Sequence, residues 1–288
     1  MNLQGTFRSL QNFYDRDLLI ANDKYISAED KSREIIYSKK DFLFKNGEWR
    51  GVHQAALIKR ISQFRNPVVV SGHSDIPTNI SKVALLKGIG VDRFFGTNTL
   101  EKFGFSHALP TGLCDQADGT NTHMILGDNS LLVIAHESSS FPGTFSPKIE
   151  MNFTAANNPQ RIKLLKQLKK GRNIVVKSDA PKLSKKTRVE FLISCREKSF
   201  VICPPGNGQD THRLWETLYM GGIPIIKENR YLDPLVFQLP VLVVKSWSQV
   251  LDTQFLEKSW YQINNQSYNY DKLSIQYWLD LILKKRMN

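Results

Sequence analysis

From residue 41 onward the chain alternates short unbroken apolar runs with longer stretches whose apolar residues return every three or four positions. The runs at 42–44 ("FLF"), 67–72 ("PVVVSG"), 93–97 ("RFFGT") and 107–113 ("HALPTGL") predict strands. They are too short for helices, and most end in the Gly, Pro and Thr of a loop. Between them, 53–64 ("HQAALIKRISQF") and 79–90 ("NISKVALLKGIG") have helical spacing. After a Ser-, Pro- and Gly-rich interval at 135–147 the alternation resumes, with strands at 148–153, 173–178, 200–205, 223–226 and 241–244. Helices are expected at 157–170, 185–199, 247–260 and 271–286. Asn158 can cap the first of these and Pro159 takes its first turn; Ile162, Leu165 and Leu168 share one face, as Val189, Leu192 and Ile193 do in the next. Strands without polar breaks, separated by helices, belong to parallel sheets covered on both faces. The pattern predicts an α/β protein of two Rossmann-like halves. Residues 1–40 form an N-terminal extension, 41–140 a first domain, 141–270 a second, and 271–288 a C-terminal helix packing back on the first domain.

Composition narrows this only a little. With 288 residues, 41% of them hydrophobic, the chain is long enough for two domains with substantial cores. The net charge of +12 favours an anionic partner, leaving nucleotide, nucleic acid and anionic membrane surface open. The positive runs at 163–172 ("KLLKQLKKGR") and 182–188 ("KLSKKTR") fall on helices, where such runs form solvated faces, and no aromatic-interleaved RNA motif accompanies them. Nucleic acid is therefore not the expected partner. Cys114, Cys195 and Cys203 have neither zinc spacing nor an even count for disulfides, and no 18-residue apolar run occurs. A soluble protein of a reducing, cytoplasmic compartment is the expectation.

The densest chemistry lies at 203–226, "CPPGNGQDTHRLWETLYMGGIPII". Gly206, Asn207 and Gly208 follow a strand and precede a helix capped by Asp210 or Thr211, so its first-turn N–H groups can cradle a phosphate. Arg213 in that first turn opposes the helix dipole unless an anion is bound. Leu214, Trp215 and Leu218 are spaced for the core. Thr211 stands where a dinucleotide fingerprint has its third glycine, and no Gly-Lys-Ser/Thr follows, so dehydrogenase and P-loop readings are disfavoured.

The whole string resembles the exostosin-like glycosyltransferases, whose C-terminal half has a strand, then P-x-G-x-G-x-D-T-x-R-x-W-E-x-L and G-x-I-P-V-I. The segment "MNFTAANNPQR" (151–161) is similar to the one that opens that half in the family; "VVSGHSD" (69–75) and "LPTGL" (109–113) resemble its weaker N-terminal signatures. The resemblance covers about 148–245, is faint over 67–113 and is absent from the first forty residues; the Golgi anchor of the animal members has no counterpart. It implies a GT-B fold, two Rossmann-like domains facing a cleft. The nucleotide-sugar, UDP-linked, would lie on the second domain and a glycan acceptor on the first. By similarity Arg213 neutralises the diphosphate, Asp210, Thr211 and His212 lie near ribose or phosphates, and Glu216 binds a ribose or sugar hydroxyl or, structurally, is a buried carboxylate bonded to loop amides.

Arg161 and Lys177, at loops of the same sheet edge, are candidate phosphate contacts or solvated charges. An inverting displacement also needs a base. Asp75 is the first candidate and His73 the second, both just past a strand; the alternative for Asp75 is a turn aspartate before Pro77. Asp15 and Asp17 form a D-x-D, a metal signature of the other common glycosyltransferase fold, but precede every strand of the pattern. No cofactor and no essential metal are expected. A nucleotide-dependent epimerase, a non-catalytic basic module binding nucleic acid or glycan, and a degenerate sugar-binding relative are the competing readings.

Overall fold

The computed structural model describes residues 35–38, 44–45, 48–49, 52–72, 75–102, 104–114, 116, 120–176 and 183–284. The first part of the chain runs β1 (Ile35–Ser38), β2 (Phe44–Lys45), β3 (Glu48–Trp49), α1 (Val52–Ile61), β4 (Val68–Ser71), α2 (Ile80–Gly88), β5 (Arg93–Thr97) and β6 (Ser106–Leu109). Two helices follow, α3 (Asn121–Leu126) and α4 (Ser130–Glu137). The second part runs β7 (Ile149–Met151), α5 (Pro159–Leu168), β8 (Ile174–Val176), α6 (Lys185–Glu197), β9 (Phe200–Ile202), α7 (His212–Tyr219), β10 (Ile223–Lys227), α8 (Asp233–Val236) and β11 (Leu242–Val244). It closes with α9 (Thr253–Asn264) and α10 (Ile275–Leu283).

Two parallel sheets result. The first has strand order β1-β4-β5-β6 and the second β11-β10-β9-β7-β8; β2 and β3 form a separate antiparallel ribbon. β1 corrects the sequence reading: Ile35–Ser38 lies inside the supposed extension, yet pairs in parallel with β4 as an edge strand of the first sheet. Four apolar-leaning residues between charges are too weak a local signal, and the partner strand supplies the rest.

Alternation along the strands assigns each face. Ile36, Val69 and Phe94 turn toward α1 and α2, packing with Ile61, Val83 and Leu86. Ile35, Val70, Phe95 and Ala108 turn the other way. They share one continuous core with Leu132 of α4, Leu192 of α6, Trp215 and Leu218 of α7, Trp278 and Ile282 of α10, and Val201 and Ile226 of the second sheet. The far face of the second sheet closes over Leu164 and Leu168 of α5 and Trp260 of α9. A helical layer therefore lies between the sheets and belongs to both. α4 packs on α6, although most of its residues precede the Ser/Pro/Gly-rich interval. α10 joins this layer, where the Arg93 Nη1 of β5 donates to the Lys284 carbonyl at 3.1 Å.

The phase of α5 differs from expectation. Arg161, Leu164 and Leu168 are its buried residues, whereas Ile162 is 41% exposed. A buried arginine takes the position that the apolar pattern gave to isoleucine.

Candidate functional site

In the second sheet the strand order reverses between β7 and β9. Loops leaving the carboxyl ends of these strands diverge, which opens the crevice where ligands of open α/β sheets collect. The loop after β9 carries Gly206, Asn207 and Gly208; the segment after β7 leads through a 3₁₀ turn (Ala155–Asn157) into α5.

Arg161 fills the base of this crevice. Its Nε donates to the Pro205 carbonyl (2.7 Å), Nη1 to Thr154 (3.2 Å) and Nη2 to Pro204 (3.2 Å), and its guanidinium lies over the Phe153 ring. Burial, with the Arg213 charge nearby, brings its pKa down to about 10. Offered by the sequence as a phosphate contact or a solvated charge, Arg161 is neither solvated nor open at the surface: it is buried and props the loop. Asn158 caps α5 through its Oδ1 on the Gln160 N–H and reaches the same loop through Nδ2 on the Gly206 carbonyl (2.7 Å).

The two loop glycines are also explained differently. Neither has a positive φ. A Cβ on Gly206 would lie 3.0 Å from Arg161 Nη2, and one on Gly208 would lie 2.6 Å from Asn98 Nδ2. Each glycine makes room for a side chain from another part of the chain.

Asn98, held at φ 50° just past β5, accepts from the amides of Gln209 (2.6 Å) and Asp210 (2.9 Å) through its Oδ1. Its carboxamide thus occupies the loop amides just ahead of α7, outside the first-turn amides that the sequence reading offered to phosphate. Asp210 is buried, accepting from the Thr111 amide (2.6 Å) and the Trp215 indole N–H (3.0 Å). Burial pushes its carboxyl above the ordinary range while these bonds pull the other way. It does not cap α7, and Thr211, at the cap position, makes no side-chain cap bond. His212 Nδ1–H donates to the Gly112 carbonyl at 2.8 Å, which fixes the tautomer or the charged form. Asn98, Thr111 and Gly112 all come from the carboxyl edge of the first sheet, so the two edges meet across this loop.

Arg213 stands apart. It is half-buried, its guanidinium 5.3 Å from the Phe191 ring centroid, with a buried Nε that has no hydrogen-bond partner among the described residues. The carboxylate one turn along, Glu216, is already engaged: Arg188 Nη2 donates to its Oε1 at 2.6 Å, both side chains being buried. Burial alone would raise the Glu216 carboxyl, but Arg188 outweighs it and holds the group below its ordinary value. Glu216 therefore locks α6 to α7 rather than presenting itself to a sugar, and its partner is an arginine rather than loop amides.

Asp75 is exposed on the loop after β4. That loop returns at Thr78, whose amide donates to the Asn98 carbonyl (2.9 Å) and whose own carbonyl accepts from Leu100. Asp75 thus sits at the same edge of the first sheet as the residues that clamp the glycine loop. His73, Lys177, Asp15 and Asp17 lie outside the described residues. Among the described residues no group of three His, Cys, Asp or Glu side chains comes together as a metal site, and no helix is long and apolar enough to cross a membrane.

No protein-family model matches the chain, and no curated protein matches it. The site must be read from its own geometry. Sequence reasoning missed Asn98 and Arg188 as parts of it. Asn98 had a faint signal, an asparagine where a strand empties into a tight turn, since Asn tolerates the left-handed conformation. Arg188 had none, because its partner is 28 residues away.

Proposed function

We propose that the chain is an exostosin-like glycosyltransferase of the GT-B type, moving a sugar from a UDP-linked donor to a glycan hydroxyl with inversion and without an essential metal. The observation that carries the proposal is Arg213, a half-buried cation whose Nε has no hydrogen-bond partner among the described residues and whose nearest carboxylate, Glu216, is already bonded to Arg188, placed where a glycine loop turns into α7 beside a topological switch point. A diphosphate would complete this environment. The amides of His212 and Arg213, which open α7, have no intrahelical partner and point the same way.

In this reading the acceptor hydroxyl loses its proton to the Asp75 carboxylate as its oxygen attacks the anomeric carbon. The bond from that carbon to the diphosphate oxygen breaks, and the electron pair leaves with the nucleotide, whose added charge Arg213 and the helix amides stabilise. Gly206, Asn207 and Gly208 shape the floor under the diphosphate. Asn98, Asp210 and His212 hold the acceptor edge against the donor edge, and Arg161 keeps the floor rigid.

Titration with UDP tests the reading. At a hundred times its dissociation constant UDP stabilises the fold by about 2.7 kcal/mol. Arg213→Ala weakens UDP by roughly ten- to a hundredfold while the protein stays folded, because a charge-assisted bond contributes about 1.5 to 3 kcal/mol. Unchanged affinity in a folded variant removes the donor assignment. Asp75→Asn, assayed for sugar transfer, lowers turnover by about 10² to 10⁴ with UDP affinity intact; full activity returns Asp75 to the role of a turn residue.

A further inference from the structure

We infer that a second ligand site, for a small phosphorylated anion, lies at the opposite, amino-terminal edge of the second sheet. A cavity of about 470 Å³ opens there, between the end of α5, the turn into β8, the approach to β7 and the start of α9. That volume is within the range of about 300 to 1,000 Å³ typical of small-molecule sites. Lys148, Lys170 and Arg172 line it together with Gln167 and the Thr253 hydroxyl, and no carboxylate is among the lining residues.

The cations come from two separate places: Lys148 precedes β7, and Lys170 and Arg172 share the turn between α5 and β8. A favourable interaction with the carboxyl end of α5 accounts for Lys170 but not for the other two. Among the described residues neither Lys170 nor Arg172 has an ion-pair partner, whereas Lys148 is steered by a bond from its Nζ to the Arg172 carbonyl (3.4 Å). Like charges gathered without acid repel one another, and an anion between them reverses the sign of that energy.

The walls are fixed. Asn173 Nδ2 donates to the Val250 carbonyl at 2.7 Å, and Gly171 is pressed so closely on Leu251 that a Cβ would fall 2.6 Å from its Cδ2. The first amides of α9 are taken by the Asp252 cap, which accepts from Gln254 and Phe255. The site thus rests on converging side chains rather than on a helix terminus. The cavity is open to solvent on one side, and its volume suits a single compact ligand of two or more charges.

The probe is inorganic pyrophosphate, titrated calorimetrically into the full chain carrying Arg213→Ala, so that the glycine loop is silenced independently. A saturable single site remains in this background, and its binding moves the amide resonances of Gly171, Arg172, Asn173 and Thr253. Adding Lys170→Glu and Arg172→Glu weakens it at least tenfold. These side chains lie on the surface, so the protein stays folded, and UDP binding by a chain carrying only the two charge reversals stays unchanged. No pyrophosphate binding in the Arg213→Ala background, or binding indifferent to the charge reversals, overturns the inference. So does capture by phosphatidate-containing vesicles without pyrophosphate binding, which makes the patch a membrane-facing surface. Failure of Arg213→Ala to affect UDP overturns the donor reading and leaves this one standing.

Discussion

The base of the crevice at the carboxyl edge of the second sheet is filled, and the amino edge is open. At the first, Arg161 and the Asn98 carboxamide occupy the crevice that the strand order creates, satisfied by loop carbonyls and amides. At the second, Lys148, Lys170 and Arg172 surround a cavity that no protein carboxylate enters. Both edges are rich in the donors that bind anions, yet their donors do different jobs. A buried guanidinium costs desolvation and must be matched by carbonyls, so it acts as a structural brace. An exposed or half-buried cation with few bonds to the protein contributes little to the fold. Partner count, rather than residue type or position along the loop, separates Arg161 from Arg213.

Breaking the filled edge has the largest consequence. Arg161→Ala leaves the carbonyls of Thr154, Pro204 and Pro205 without their donor, and urea unfolding shows a loss of about 3 kcal/mol or more. Arg161→Lys recovers only part of it, because an ammonium cannot reach carbonyls in three directions from a planar fork. A loss below about 1 kcal/mol for the alanine variant shows that the brace is dispensable.

A middle-sized effect tests the junction between the halves. Gly208→Ala drives a methyl into the Asn98 carboxamide and costs about 1 to 3 kcal/mol, as the bonds to Gln209 and Asp210 are lost. In an Asn98→Ala background the same change costs far less. The resulting coupling energy, read from a double-mutant cycle, is the signature of the contact, and additive effects would deny it. The smallest effect belongs to the open edge. Replacing Lys170 and Arg172 by alanine leaves thermal stability within about 0.5 kcal/mol, the range of surface substitutions free of structural duties.

What the sequence disclosed follows the reach of each signal. β5 was read residue for residue, since its apolar run is bounded by Asp92 and Asn98. The Asn158 cap with Pro159 in the first turn was equally plain, as capping is settled within a few positions. Leu214, Trp215 and Leu218 were legible as core by their spacing. Illegible were the facts that need a distant partner. The Asn98 bond to the Gln209 amide spans 111 positions and the Asp210 bond to the Thr111 amide 99, so a capping aspartate and a phosphate-cradling glycine were the natural local readings. The misphasing of α5 has a similar origin: only the carbonyls of the loop after β9 make it tolerable to bury Arg161 in place of Ile162.

The position of α10 matters while the protein is being made. One face of the first sheet, with Ile35, Val70, Phe95 and Ala108, shares its core with Trp278 and Ile282, residues that leave the ribosome last of all the contributors to that layer. At translation speeds of about 5 to 20 residues per second, the interval between β6 and α10 amounts to roughly 10 to 35 seconds. For that time an apolar sheet face waits half-dressed, fully covered only once α10 has emerged.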